Sequence, residues 1–272
     1  MSKKEASNAV DRTGPSLLGK VVAVTGSTQG LGEAIARLVA GRGAAGLVLT
    51  GRSSRRGRSV AESLTSSRCR AVFEGGDLAS PDTCAKIIGR ADAEFGRLDG
   101  LVNAAACTER GTLEDTSAEH WDKIMAVNLR APFLLMQGAV RIMQRERSGG
   151  SVVNIQSMSA YGGIPKLTPY SVSKGGLSVL TKNAAHSQRH HRIRVNALNI
   201  GWMATPAEHA VQTLEGQPED WLETADAGAP FGRILRPRDV AGMTAYLLSD
   251  EASMMTGAVM DFDQHVMGIY AP

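Results

Sequence analysis

The sequence lacks the features of a membrane, disulfide-bonded or nucleic-acid-binding protein. No apolar run reaches about 18 residues, the length at which a membrane-spanning helix is expected. The three cysteines, Cys69, Cys84 and Cys107, cannot all pair and have no metal-ligand spacing, which is typical of the reducing cytosol. The net charge is only +3, and Lys and Arg are scattered among acids instead of forming a stripe. We therefore expect a cytoplasmic protein with no metal, no membrane and no nucleic acid among its partners.

The chain also lacks internal repeats, linkers and shifts in composition. Its 272 residues, 43% of them hydrophobic, suffice for one large domain with a buried core. Residues 1–16 are polar and contain no apolar segment, so they predict a disordered N-terminal tail and not a signal peptide. We predict a single domain over residues 17–272.

The sequence does contain a regular alternation of strand-like and helix-like segments. Apolar runs typical of buried parallel strands lie at 21–25, 47–50, 71–73, 98–103, 151–155, 192–198 and 258–262. Helical patterns lie between them, at 31–42, 59–66, 81–95, 117–147, 169–187 and 237–249. This alternation predicts an α/β fold with a doubly wound, parallel, seven-stranded sheet. Residues 202–230 lack a pattern and are expected to form an irregular substrate loop or lid.

Tyr170 and Lys174 occupy positions i and i+4 of a predicted helix, so they share one helix face. The charge of Lys174 is expected to lower the pKa of Tyr170 from its ordinary value of about 10. Such a phenol can act as an acid or a base near neutrality. Ser157, just upstream, supplies a hydroxyl that can hold a carbonyl oxygen. A lone Tyr-x-x-x-Lys is common by chance, but this combination is typical of hydride and proton transfer between an alcohol and a ketone.

A glycine-rich turn, Thr25-Gly-Ser-Thr-Gln-Gly-Leu-Gly32, follows the first predicted strand. Glycine adopts backbone angles closed to other residues and lets phosphates approach the chain. The helix that follows offers unpaired N–H groups and the positive end of its dipole to a pyrophosphate. The spacing is wider than the general G-x-G-x-x-G fingerprint, and the alternative is a plain glycine turn.

In this order and spacing, the motifs resemble those of the short-chain dehydrogenase/reductase family, from about Leu18 to Asp263. The resemblance implies a Rossmann-type fold and a nicotinamide cofactor. It implies a catalytic group made of Asn128, Ser157, Tyr170 and Lys174. The cofactor contacts that it implies are Gly26, Ser27, Gly30, Leu31, Gly32, Arg52, Asp77, Leu78, Asn103, Tyr170 and Lys174.

The resemblance also implies individual roles. Asp77 meets the adenine amino group, although it could instead cap the following helix. Asn128, a poor helix former in a predicted helix, supports a water that links Lys174 to solvent, although it could simply face a neighbouring helix. Pairing of the helices at about 117–146 and 169–187 between copies implies a homotetramer. Two motifs depart from the family pattern. Where the family has Asn-Asn-Ala-Gly, this chain has Asn103-Ala-Ala-Ala106, and where the family has Pro-Gly, this chain has Ile200-Gly201.

The end of the second predicted strand, Leu49-Thr-Gly-Arg52, bears on the choice of cofactor. NAD-dependent enzymes of this fold place a carboxylate where Gly51 stands. Arg52, with Arg55, Arg56 and Arg58 close behind, can bind a 2′-phosphate through a guanidinium. We therefore expect NADP(H) to be preferred, with NAD(H) possible. The alternative is a solvated basic turn that tolerates either cofactor.

The function expected from these residues is an NAD(P)-dependent oxidoreductase that interconverts an alcohol and a carbonyl group, with Tyr170 as general acid and base. The predicted pocket wall is mixed polar and apolar and includes Trp202, His209 and Trp221, which favours a sugar, a polyol or another small hydroxy or keto compound. Two alternatives remain open: a 3-oxoacyl thioester reductase, and a non-catalytic NADP-binding sensor or scaffold.

Overall fold

The computed structural model describes residues 14–267. The predicted N-terminal tail therefore lies mostly outside the described residues. Its last part, residues 14–16, is described and packs on the domain, because the carbonyl oxygen of Pro15 accepts a 3.4 Å hydrogen bond from Arg42.

Seven parallel strands form one sheet in the order β3-β2-β1-β4-β5-β6-β7. The strands are β1 Val21–Val24, β2 Gly46–Gly51, β3 Arg70–Gly75, β4 Gly100–Asn103, β5 Gly150–Ser157, β6 Ile193–Ile200 and β7 Val259–Phe262. The strand order reverses between β1 and β4. Ligands of open α/β sheets bind at such a switch point, beyond the carboxyl ends of the strands. The predicted doubly wound fold is confirmed.

Helices cover both faces of the sheet. They are α1 Gly30–Gly41, α2 Ser54–Leu64, α3 Pro81–Phe95, α4 Ala118–Met125, α5 Ala131–Glu146, α6 Thr168–Gln188, α7 Pro206–Leu214, α8 Trp221–Gly228 and α9 Pro237–Leu248. Side chains alternate between faces along each strand, so Val22 and Val24 of β1 pack in one core with α1 and α9. Val21 and Ala23 pack in the other, with α3 and α5. Every helix within residues 14–267 is too short or too polar to cross a lipid bilayer.

The prediction of an irregular segment at 202–230 is wrong, because this segment contains α7 and α8. Thr205 caps α7 and Pro206 occupies its first turn, the arrangement that starts a helix. The two helices are short, and each buries only one residue, Gln212 in α7 and Trp221 in α8. Such helices have no apolar stripe, which is the signal on which sequence periodicity depends.

Two predicted helices also differ from the structure. α2 begins at Ser54 and not at Ser59, because the Ser53 side chain accepts a 3.4 Å hydrogen bond from the Arg56 N–H and caps the helix. The helix predicted over 117–147 is interrupted by a π-helical turn, Ala126–Arg130, between α4 and α5. Such turns are rare and occur frequently at functional sites. Asn128 lies at the centre of this one.

Candidate active site

The carboxyl ends of the central strands bring the predicted site residues to one edge of the sheet. Asn103 is the last residue of β4, and Ser157 is the last residue of β5. The glycine turn follows β1, and Gly51 ends β2. Residues distant in sequence therefore meet at the switch point of the sheet.

Ser157 lies close enough to Tyr170 for its hydroxyl to lower the pKa of the phenol. Tyr170 lies in the first turn of α6. The Ser157 hydroxyl also accepts hydrogen bonds from Ser159, at 2.9 Å from its hydroxyl and 3.2 Å from its backbone N–H. Because Ser159 donates both of these hydrogen bonds, the Ser157 hydroxyl keeps its own proton for donation.

The pKa of Tyr170 differs from the sequence-based expectation. Burial raises it to about 12, and this outweighs the lowering by Ser157 and by the charge of Arg110. The expected lowering of this pKa is wrong in direction, because burial of the phenol dominates and Lys174 is not among the groups that shift it. Burial also lowers the pKa of Lys174, to about 8. The Lys174 ammonium lies 5.6 Å from the centre of the Tyr170 ring. Tyr170 is therefore protonated at neutral pH, the state required of a general acid.

Asn128 uses its whole side chain to join two segments of the site. Its Oδ1 accepts from the Cys107 N–H at 2.8 Å, and its Nδ2 donates to the Cys107 carbonyl oxygen at 2.9 Å. The Nδ2 also donates to the Ser173 hydroxyl of α6 at 3.1 Å. Asn128 therefore holds the segment after β4 against the helix that carries Tyr170 and Lys174. The predicted water relay to Lys174 stays a prediction.

The glycine turn is shaped by close backbone approaches. Gly26 has φ 67°, and a Cβ there would lie 2.9 Å from the Cα of Ala105. A Cβ on Gly32 would collide with the carbonyl oxygen of Gly26. Gly30 has φ 59° and begins α1. The side chain of Gln29, which precedes α1, makes no capping hydrogen bond. The first N–H groups of α1, those of Gly30, Leu31 and Gly32, thus remain available to an anion.

Ser27 connects the glycine turn to the neighbouring strand. Its backbone N–H donates to the Thr50 carbonyl oxygen at 3.0 Å, and its hydroxyl accepts from the Thr50 N–H at the same distance. The side chain is fully buried. Ser27 therefore ties the glycine turn to β2, and its predicted contact with a cofactor stays a prediction.

Asn103 presents an unused acceptor at the end of β4. Its Nδ2 donates to the Asn154 Oδ1 at 2.8 Å, whereas its own Oδ1 is buried and has no hydrogen-bond partner among residues 14–267. A buried acceptor without a partner is unfavourable. This atom is suited to a hydroxyl of a bound ligand, such as a cofactor ribose.

The predicted adenine end of the site lies along β2 and β3. Asp77 is exposed, and its Oδ1 accepts from the Ala79 N–H at 2.9 Å. It does not cap α3, since the residue before that helix is Ser80. Leu78 is half-buried against the core between the sheet and α3. Arg52 is exposed directly after Gly51, where a Cβ would lie 2.6 Å from the Thr28 Cγ2.

Sequence reasoning missed a group of residues contributed by the lid, the segment 202–230. Thr205 approaches the glycine turn, since a Cβ on Gly30 would lie 3.7 Å from the Thr205 Cβ. The Thr205 hydroxyl accepts from the Glu208 N–H at 3.1 Å. Thr205-Pro-Ala-Glu208 is the S/T-x-x-E pattern of a helix start, the signal that could have revealed α7.

A salt-bridge cluster fastens the lid to the rest of the site. Glu215, directly after α7, accepts from the Arg110 Nε at 2.8 Å and from the Lys166 Nζ at 3.0 Å. Arg110 lies in the segment after β4, and Lys166 precedes α6. Three segments, those that follow β4, precede α6 and follow α7, therefore meet at one carboxylate.

The aromatic residues predicted for the pocket wall are grouped within the lid. Trp202 and Trp221 are stacked with ring centroids 5.6 Å apart. The Trp221 indole N–H donates to the His209 Nδ1 at 3.1 Å. Both tryptophans line a cavity of about 480 Å³, together with Gln212, Gln217 and Asp263. The described residues contain no group of three or more His, Cys, Asp or Glu placed to hold a metal ion.

Comparison with known proteins gives a consistent set of relatives. A family model described as enoyl-(acyl carrier protein) reductase matches residues 26–264. The cis-4-hydroxycyclohexanecarboxylate dehydrogenase of Sinomonas cyclohexanicum is 36% identical, over 90% of this chain and 95% of its own. The NADP-dependent (R)-specific alcohol dehydrogenase of Lentilactobacillus kefiri is 33% identical, over 89% of this chain and 94% of its own. The structure of L-sorbose reductase from Gluconobacter frateurii, complexed with NADPH and L-sorbose, matches with a TM-score of 0.87 and 28% identity, covering 94% of this chain and 99% of that one.

Proposed function

The chain belongs to the short-chain dehydrogenase/reductase family and is an NAD(P)-dependent oxidoreductase of alcohols and carbonyl compounds, and we propose that it uses NADP(H) and Tyr170 to interconvert a small ketone and its alcohol. The observation that carries the proposal is the placement of Ser157, at the end of β5, next to Tyr170, in the first turn of α6, with buried Lys174 beside the phenol. This hydroxyl pair is suited to one carbonyl oxygen, which would accept from both groups.

The chain's own residues fit a nicotinamide dinucleotide. The open N-terminus of α1 would hold the pyrophosphate, and the unpartnered Asn103 Oδ1 would accept from a ribose hydroxyl. Exposed Arg52 would bind a 2′-phosphate. When bound, the cofactor supplies or accepts the hydride.

In reduction, the carbonyl carbon gains a hydride and the carbonyl oxygen gains a proton. Tyr170 donates that proton from its phenol, which burial keeps protonated at neutral pH. Ser157 donates a hydrogen bond to the same oxygen and stabilises the charge that develops there. Lys174, whose pKa of about 8 lets it exchange protons near neutrality, helps to restore the phenol. Oxidation of the alcohol follows the same steps in reverse.

The substrate class that we propose is a sugar, a polyol or another small hydroxy or keto compound. Support comes from the mixed wall of the lid, with Trp202, Trp221 and Gln212 around one cavity. A relative that binds L-sorbose supports the same class. The second candidate is a 3-oxoacyl thioester, which is supported by 34% identity to the 3-oxoacyl-[acyl-carrier-protein] reductase of Thermotoga maritima.

We also propose that the protein is a homotetramer. A groove between α4–α5 and α6 is lined by Leu129, Phe133, Val179 and Leu180, and Phe133 and Val179 are 46% and 61% exposed. Pairing of this face with a second copy would bury these side chains. Light scattering at micromolar concentration should show a multimer, and a monomer would contradict the proposal.

The cytoplasmic location remains a prediction from cysteine usage.

The test of the function is NADPH consumption by the purified protein with a panel of carbonyl compounds. The panel contains L-sorbose, cyclohexanone, acetophenone and a 3-oxoacyl thioester. Turnover of a small ketone supports the proposal. Turnover of the thioester alone favours the second candidate, and tight NADPH binding without any turnover favours a sensor or scaffold.

A further inference from the structure

Thr181, in the middle of α6, has a fully buried hydroxyl that forms three hydrogen bonds. It donates its proton to the Leu177 carbonyl oxygen, one turn back along the helix, at 2.8 Å. Its oxygen accepts from the Asn154 Nδ2 at 2.9 Å and from the Gln156 Nε2 at 3.3 Å. A hydroxyl has one donor and two acceptor positions, so all of them are occupied. Both amides belong to β5, and the hydroxyl therefore joins α6 to β5.

The acceptors around Asn154 determine which way its amide faces. A backbone carbonyl oxygen can only accept, so the proton between the Thr181 and Leu177 oxygens belongs to Thr181. The Thr181 oxygen then offers lone pairs to Asn154, which must present its Nδ2. The Met136 Sδ, which also only accepts, lies 3.7 Å from the same nitrogen. Two acceptors therefore hold the Nδ2 of Asn154 toward α5 and α6.

The orientation of Asn154 in turn fixes that of Asn103. The Asn154 Oδ1 faces β4 and accepts from the Asn103 Nδ2 at 2.8 Å. Each side chain thus donates to the next, from Asn103 to Asn154 to Thr181 and on to Leu177. Reversal of either amide would bring two acceptor oxygens into contact. The Asn103 Oδ1 is left at the free end of this series, buried and without a partner among residues 14–267.

Asn103 adjoins the glycine turn. The two residues that follow it, Ala104 and Ala105, donate from their N–H groups to the Thr25 Oγ1 at 2.9 Å and 3.0 Å. Thr25 is the first residue of the turn, and a Cβ on Gly26 would lie 2.9 Å from the Ala105 Cα. The series therefore ends at the switch point of the sheet. A buried acceptor without a partner is unfavourable, and a ligand hydroxyl there would satisfy it.

We propose that Thr181 is a positioning residue for the cofactor: through Asn154 it turns the oxygen of Asn103, and not its NH2 group, toward a ribose hydroxyl of NADP(H). This inference rests on the proposed function and deepens it. An acceptor is needed there because Lys174 has N–H donors only and uses one of its three on Ile155. A ribose hydroxyl that accepts from Lys174 needs a separate acceptor for its own proton.

The test is a double-mutant cycle on NADPH affinity, measured by the change in NADPH fluorescence on binding. Thr181→Val removes the hydroxyl and should raise the Kd for NADPH about three- to tenfold, the value of one neutral hydrogen bond. Asn103→Ala should raise the Kd by a similar factor. In the Asn103→Ala background, Thr181→Val should change the Kd no further, because its effect passes through Asn103. Thr181→Ser, which keeps the hydroxyl, should bind NADPH as wild type does.

The matched control is Thr244→Val. Thr244 is also fully buried and donates to the carbonyl oxygen one turn back, that of Val240, at 2.9 Å. Its Kd for NADPH should equal that of wild type, since within residues 14–267 no side-chain amide donates to Thr244. If Thr181→Val does not fold, Asn154→Leu, which interrupts the series at its middle amide, enters the same cycle.

Four outcomes would overturn the inference. Equal losses from Thr181→Val with and without Asn103, or equal losses from Thr181→Val and Thr244→Val, would assign Thr181 a structural role alone. A Thr181→Ser protein that binds as weakly as Thr181→Val would show that the hydroxyl is not what matters. A wild type whose NADPH affinity is unchanged by Asn103→Ala would overturn the inference while the proposed function stands. A wild type that does not bind NADPH would overturn both.

Discussion

Lys174 donates a 2.8 Å hydrogen bond from its Nζ to the carbonyl oxygen of Ile155 in β5. An ammonium group has three N–H donors, and among the described residues this is its one partner. The side chain is 2% exposed. The buried, under-partnered charge lowers the pKa of Lys174 to about 8. Burial of the Lys174 ammonium therefore lowers the stability of the fold, as is common for functional residues.

Replacing Lys174 with Met should stabilise the protein while it abolishes activity. The folded-state pKa of about 8 lies below the ordinary value of 10.5, so the unfolded chain binds the proton more tightly. At pH 7 the charge then destabilises the fold, and its removal should raise the free energy of unfolding by on the order of 1–3 kcal/mol. The gain should shrink as the pH rises from 8 toward 10.5, because the buried amine is then already neutral.

Urea unfolding at pH 7 and pH 10 measures this difference. The control is Lys182→Met, which removes an exposed lysine from the same helix and should change stability little at either pH. A Lys174→Met protein less stable than wild type at pH 7 would show that the hydrogen bond to Ile155 outweighs the burial of the charge.

Tyr170→Phe removes the transferable proton and should leave the fold intact. We expect the rate to fall at least about a hundredfold, the scale of general acid–base catalysis. The control is Tyr161→Phe, which removes an exposed phenol bonded to Asp261 at 2.8 Å. Near wild-type turnover in a folded Tyr170→Phe protein would remove Tyr170 from the mechanism.

The raised pKa of Tyr170 also predicts opposite pH dependences for the two directions. Reduction requires the protonated phenol, which persists well above neutrality because its pKa is about 12. Oxidation requires the phenolate, whose fraction rises about tenfold per pH unit below that pKa. We therefore expect the kcat of ketone reduction to be flat from pH 6 to 8 and the kcat of alcohol oxidation to rise. A reduction rate that collapses between pH 6 and 8 would contradict a phenol with a raised pKa.

Asn128→Ala should destabilise the fold and disturb the site together. It leaves the N–H and the carbonyl oxygen of Cys107 without their partner, and each loss costs about 1–3 kcal/mol when the group is buried. A double-mutant cycle with Ser173→Ala isolates the 3.1 Å contact to α6. We expect a coupling of at least about 0.5 kcal/mol. Additive effects would mean that Asn128 acts on Cys107 alone.

The sequence predicted the sheet, and the position of the candidate catalytic residues at its edge, because these depend on local pattern and strand order. Tyr170 and Lys174 share a helix face wherever that helix packs, and residues at strand ends meet at the sheet edge. The direction of the Tyr170 pKa shift was predicted wrongly because it depends on burial, which the sequence does not show. The hydrogen bonds between Ser27 and Thr50 likewise depend on tertiary structure, which no sequence motif indicates.

Glu215→Gln should loosen the lid. The change removes the charge that accepts from Arg110 and Lys166 across the mouth of the site. The exposed fraction of the side chain is 24% for Glu215, 29% for Arg110 and 55% for Lys166. Partly exposed ion pairs contribute up to about 1 kcal/mol, so we expect KM to rise about two- to fivefold.

Salt provides an independent check on the lid, because ions screen exposed charges. The KM of wild type should rise with salt concentration, whereas that of Glu215→Gln should change less. Asp92→Asn, which breaks an ion pair of Arg145 between α3 and α5, serves as the control. A KM with the same salt dependence in Glu215→Gln and wild type would show that the cluster does not hold the lid.

The choice of cofactor should be set at the end of β2. Arg52 is exposed there and available to a 2′-phosphate, which a guanidinium binds through two hydrogen bonds. Arg52→Ala should therefore lower kcat/KM with NADPH at least about tenfold, since each factor of ten corresponds to about 1.4 kcal/mol. It should leave kcat/KM with NADH almost unchanged. Arg68→Ala, which removes another exposed arginine, is the control and should affect neither cofactor.

The reciprocal variant introduces the carboxylate that NAD-dependent enzymes of this fold use. Gly51→Asp alone would place its Cβ 2.6 Å from the Thr28 Cγ2 and 2.8 Å from its Oγ1, so the substitution is made in a Thr28→Ala background. In that background the aspartate should bind the ribose hydroxyls of NADH and repel the 2′-phosphate of NADPH. We expect the ratio of kcat/KM values, NADPH over NADH, to fall relative to Thr28→Ala alone. A wild type that favours NADH, or a ratio unmoved by both Arg52→Ala and Gly51→Asp, would show that this turn does not select the cofactor.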